Sequence, residues 1–199
     1  MNPLKSITGT IVSGFVLAAI IAIAAGMKGF GVLQVEVWLH AIVGIAWVGL
    51  LYYFNFIQVP AVAQALGEAS NGGPGPAAIN KYVAPKALLW FRWAAIATWV
   101  TGVGALQNLG DGGALKAFTF ADGFAVIGIG AWLGTIMMLN VWLLIWPNQK
   151  KILGLDGKEH SADAIAKAKV VALMASRTNV VLSVPMLLSM TGFAHGLHF

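Results

Sequence analysis

The chain has 199 residues, 59% of them hydrophobic and 10% charged, with a formal net charge of +5. Soluble domains run at about 45–50% apolar and about 25% charged, so the composition implies an integral membrane protein. Cysteine is absent, which excludes disulfides, thiolate metal sites, iron–sulfur clusters and CxxCH haem attachment within these residues. The basic excess reads as a topology signal, and nucleic acid is not an expected partner.

A helix needs roughly 20 apolar residues to cross the hydrocarbon. The first span, about 7–26, has an early Lys5, an apolar run and then AIAAG. It resembles a secretory signal, but with Met1 at its head a retained helix is expected. The second, 37–58, reads VWLHAIVGIAWVGLLYYFNFIQ and carries His40 near its start. Pro60 follows it as a stop signal, and Gly72-Gly73-Pro74-Gly75-Pro76 marks a loop. The third, 86–106, is tryptophan-rich, and Gly110-Asp111-Gly112-Gly113 separates it from the fourth, 123–146, which Pro147 ends. The fifth is 170–193, and the Asp163-Ala-Ile-Ala-Lys-Ala-Lys pattern before it is able to start that helix early.

The expected fold is therefore all-α: a single membrane domain, 1–199, of about five transmembrane helices in the bilayer. With the N-terminus inside, Lys5, Lys81, Lys86, Lys150, Lys151, Lys158, Lys167 and Lys169 fall in the cytoplasm, and only Lys28 and Lys116 fall outside. This positive-inside bias makes 59–85 and 147–169 cytoplasmic loops and places the C-terminus outside.

On that topology His40 and His195 share the outer leaflet. His40, Gly44, Trp47 and Leu51 lie on one helical face. An axial imidazole, a small neighbour and aromatic walls are what a haem requires, whereas a zinc or copper site would want further ligands at that depth. His198 is the substitute for His195, and the plainer alternative is helix-end histidines that hydrogen-bond a neighbour or water. His160 reads as a solvated loop residue. Asn55, Gln58, Arg92, Asn140, Arg177 and Asn179 form a second polar layer in the inner half. Intramembrane arginines either snorkel to the headgroups or face a polar interior, here a pocket for haem propionates, a quinone headgroup or water. Gly130 and Gly134 are read as close-packing positions, not a nucleotide loop.

Four blocks carry a family resemblance: WLHAIVGIAWVG, LLWFRWAAIATWVTG, GAWLGTIMMLNVWLLIWPNQKK and SRTNVVLSVPMLLSMTGFAH. In that order they resemble the membrane domain of PuuD-type bacterial urate oxidases, a haem-associated redox family whose full-length members add a cytochrome c domain. The resemblance places the family's early histidine on His40, its late one on or beside His195, and its PNQ motif on Pro147, Asn148 and Gln149. It implies a bacterial inner-membrane protein with other membrane subunits, a c-type cytochrome or a quinone as partners.

The chain departs from the pattern at Leu89 and Thr178, where histidines are expected, and at Ala94, where an acidic residue is expected. It also carries an added leading helix, and the cytochrome c domain is missing from these residues. These losses remove catalytic groups and spare the outer histidines. The expectation is a redox or accessory subunit more than a stand-alone enzyme: a membrane electron-transfer subunit with haem b on His40 and His195, with Gly44, Trp47, Arg92, Asn140, Arg177 and Asn179 around the cofactor. The alternatives are a cofactor-free anchor of a larger complex, or a membrane oxidase acting on urate or a porphyrinogen.

Overall fold

The computed structural model describes residues 2–27 and 30–197, and every regular element among them is helical. Helix α1 (Ile7–Ala24) starts where the Ser6 hydroxyl accepts the Gly9 N–H at 3.0 Å, satisfying one of the open first-turn donors. Then follow α2 (Val32–Tyr53), α3 (Val59–Ala69), α4 (Ala84–Asn108), the short α5 (Gly113–Phe118), α6 (Ala125–Leu139), α7 (Trp146–Ile152) and α8 (Ala162–Ala194). Four helical stretches, Ile7–Ala24, Val32–Ala69, Ala125–Ile152 and Ala162–Ala194, are long and apolar enough to cross a membrane. With 25 residues, α4 has the length for a fifth crossing, while its polar residues, Arg92 among them, lower its mean hydropathy.

Helices run through the stretches expected to be loops. Val59–Ala69 continues the second span, Trp146–Ile152 continues the fourth, and α8 begins at Ala162, the early start that its charge pattern allowed. Pro60 and Pro147 do not stop their helices. Each follows a π-turn, Phe54–Gln58 and Asn140–Ile145, and a third π-turn, Ile79–Val83, precedes Pro85. In all three the residue just before the proline donates to the carbonyl five residues back: Val59 to Phe54, Ala84 to Ile79, Trp146 to Val141. A proline in regular α-helix clashes with the carbonyl four residues earlier. The widened turn relieves that clash and lets the helix continue.

Two helix pairs make the bundle, α2 along α4 and α6 along α8. Small residues allow the close approach that packing in lipid depends on: Ala95 in α4, Gly130 and Ala131 in α6, and Ala172 and Ala175 in α8 are buried. Trp47, Leu51, Phe91, Met137 and Val141 fill the centre, while Ile45, Leu143, Val181, Val184 and Leu188 point outward. Apolar side chains outside and a polar seam inside suit a lipid solvent. In the seam, Tyr52 Oη meets Ser183 Oγ at 2.9 Å, Asn55 Nδ2 donates to Ser176 Oγ at 2.8 Å, and Asn140 Nδ2 donates to Asn179 Oδ1 at 2.9 Å. Helix α1 stands apart: none of its span is buried, and Phe15 meets Trp38 edge-on at 5.4 Å.

Candidate functional site

Between the two pairs, away from the Tyr52–Ser183 seam, lies a cavity of about 300 Å³. Its walls include Trp47, Trp99, Met186, Met190 and Phe193, and no charged side chain lines it among the described residues. The polar group that distinguishes it is His40, held half-buried on α2. The Thr98 carbonyl of α4 is 2.8 Å from His40 Nδ1. A carbonyl only accepts, so Nδ1 carries a proton, and in the neutral ring the lone pair is then on Nε2. Nε2 has no hydrogen-bond partner among the described residues.

The same carbonyl accepts the Thr101 hydroxyl at 3.2 Å, while the Thr98 hydroxyl turns back to Ala94 O at 2.7 Å. Gly102, one turn on, supplies the space. A Cβ there would lie 2.8 Å from His40 Cε1 and 3.0 Å from Nδ1, so the imidazole rests directly on bare α4 backbone. One turn before His40 on α2, Glu36 accepts from Asn108 Nδ2 at 2.8 Å. Gly104 gives that carboxylate room, since a Cβ there would approach Glu36 Oε1 to 2.5 Å.

The residues expected at a cofactor site separate into three groups. His40 and Trp47 line the cavity. Gly44 packs toward Thr98, with its Cβ direction 3.7 Å from Thr98 Cγ2, and is not part of the lining. His195, at the C-cap of α8, is exposed; its Nδ1 bonds Thr191 O of its own helix at 2.7 Å, and Phe193 and Ala194 line the cavity in its place. His198 lies outside the described residues. His160 pairs with Asp156 at 2.8 Å in the segment before α8, and this hydrogen bond holds the Asp156 carboxyl below its ordinary value.

The inner polar layer does not form one pocket. Asn140 and Asn179 bond each other, and Asn179, fully buried, also donates to Met137 O at 2.9 Å. Arg92 stacks its guanidinium 3.8 Å over the Trp146 ring, and Arg177 is exposed on α8. None of these four lines the cavity. The glycine pair of α6 also divides. Gly130 packs on α8, where a Cβ would meet Met190 Cε at 3.1 Å, as expected of close packing; Gly134 lines the cavity with nothing within 4 Å of its Cβ position. Thr98, Gly102 and the two methionines went unnoticed in the sequence, because their roles arise only across helix pairs.

A family model described as urate oxidase N-terminal matches residues 27–109 and 114–199. The chain belongs to this family. Both segments of the match lie beyond α1 and take in all the helices around the cavity. No curated protein and no solved structure matches the chain.

Proposed function

We propose that this urate oxidase N-terminal family member is a membrane electron-transfer subunit that holds a b-type haem in the His40 cavity. The observation that carries the reading is the state of His40: Nδ1–H pinned to the Thr98 carbonyl, Nε2 unpartnered, and the ring backed by Gly102. A hydrogen bond of this kind fixes tautomer and orientation and raises the basicity of the ligating nitrogen. The open space above Gly134 gives a flat group access to the α6 backbone, and Trp47, Trp99 and Phe193 supply apolar walls. His40 would serve as an axial ligand and the aromatic residues would exclude water. A bound haem supplies one-electron redox chemistry tuned by its axial ligands and surroundings. With no cation in the lining among the described residues, haem carboxylates would belong at the cavity mouth. Arg92 and Arg177 are not among the lining residues.

The same lining argues against urate as the occupant. A polar purine anion has no charge partner there, and burying it would carry a desolvation cost that one imidazole does not offset. The lysine distribution supports an N-terminus-inside orientation in a bacterial inner membrane, and electrons would pass to or from a c-type cytochrome or a quinone. The test is an optical spectrum of the full chain, purified in detergent after expression with added haem, oxidised and dithionite-reduced. A Soret band that is lost in His40→Ala supports the reading. Its absence from wild-type protein overturns it and leaves a cofactor-free scaffold.

A further inference from the structure

We infer that Met190 supplies the second axial ligand, from α8, opposite His40 on α2. This rests on the haem reading and specifies its other half. Of the described side chains lining the cavity, only His40, Met186 and Met190 carry an atom that ligates haem iron. His40 belongs to the α2–α4 pair and both methionines to the α6–α8 pair, so the imidazole and a thioether would hold the group from different helix pairs.

Register selects Met190. Helices α2 and α8 are antiparallel, with Tyr52 beside Ser183 and Asn55 beside Ser176. Moving outward along α2 from Tyr52 to His40 spans 52 − 40 = 12 residues, about 18 Å. Counted from Ser183, the same 12 residues reach His195, the C-cap of α8. Counted from Ser176, 55 − 40 = 15 residues reach Thr191, so of the two methionines Met190 stands nearer the level of His40, in the stretch where Phe193 and Ala194 join the lining. Accessibility agrees: Met186 is 6% exposed and sits in the central core, whereas Met190 is only partly buried. Gly130 makes room for the Met190 thioether, because a Cβ there would lie 3.3 Å from its Sδ. Methionine's unbranched chain then allows the sulfur to re-aim without moving the helix.

His/Met ligation places the site among electron-transfer haems of raised potential and leaves no open position on the iron. The experiment compares ferric and ferrous spectra and the midpoint potential of wild type, Met190→Leu, Met190→His, Met186→Leu and His195→Ala, each checked for a monodisperse elution profile. Leucine conserves volume, so Met190→Leu tests ligation with minimal disturbance of packing. Expected are a far-red thioether-to-ferric-iron band in wild type, its loss in Met190→Leu, a low-spin spectrum with lowered potential in Met190→His, and the band retained in Met186→Leu and His195→Ala. A Soret band that Met190→Leu leaves unmoved overturns the methionine assignment and keeps the haem. Loss of the band on changing Met186 or His195 alone also overturns it. No Soret band in any variant overturns both.

Discussion

Replacing Gly102 with alanine tests the geometry that holds His40. The new methyl would sit 2.8 Å from His40 Cε1 and 3.0 Å from Nδ1, well inside contact distance for two atoms with helical backbone behind each. The ring has to swing away, and the 2.8 Å bond to the Thr98 carbonyl goes with it. Overpacking costs about 1–3 kcal/mol and the lost hydrogen bond about 0.5–1.5 kcal/mol. Alanine's better helix propensity offsets up to about 1 kcal/mol. With the full propensity offset, the net expectation is a loss of roughly 0.5–3.5 kcal/mol by the same accounting. Gly49→Ala is the control: it lies in α2 with nothing within 4 Å of its Cβ position, so only the propensity gain applies. The assay is unfolding in mixed micelles, with the imidazole nitrogens of His40 followed by NMR. Equal stability of the two variants, with an unchanged His40 tautomer signal, would refute the claim that α4 fixes this ring.

Asn179→Ala leaves Asn140 Nδ2 and Met137 O without their partner; a loss of about 1–3 kcal/mol is expected in the same unfolding assay. Gly134→Ala adds a methyl to open space, so stability is unchanged or slightly raised, and on the proposed haem reading the haem-to-protein ratio of purified material falls. The Asp156–His160 contact is sensitive to acid. Asp156 has its folded value lowered, chiefly by the His160 hydrogen bond. Its contribution is therefore complete above the unfolded value of about 3.9 and is lost as pH falls through the folded one. Asp156→Asn should flatten this small acid-side component in thermal melts taken between about pH 6 and pH 3, and leave neutral-pH behaviour nearly unchanged.

The bundle of membrane-length helices was legible because the apolar runs are long and the loops are marked by glycine and aspartate. Helix ends were not, because hydropathy marks the segment that meets lipid, whereas hydrogen bonding continues the helix into polar sequence such as Val59–Ala69 and Ala162–Lys169. Pro60 and Pro147 misled for a related reason: a π-turn, invisible in composition, absorbs each one. His40 stood out as an imidazole in an apolar span. His195 stood out equally, yet each residue turns about 100° around a helix, and the α8 face that meets the cavity carries Met186, Met190, Phe193 and Ala194. One further step takes His195 off that face. Thr98 and Gly102 gave no signal, since their importance lies in the neighbour they touch.

The hydrogen bonds that cross between the two helix pairs, among them Tyr52 to Ser183, Asn55 to Ser176 and Trp99 to Thr135, leave the flank of the cavity toward His40 and the end of α8 without such a tie among the described residues. Like a clothes-peg sprung at one end, the bundle has jaws held only by greasy contact, and hydrocarbon tails replace that contact at little cost. On the proposed reading, a flat, oily cofactor would have a side door from the bilayer and would not need to pass through water to reach the imidazole.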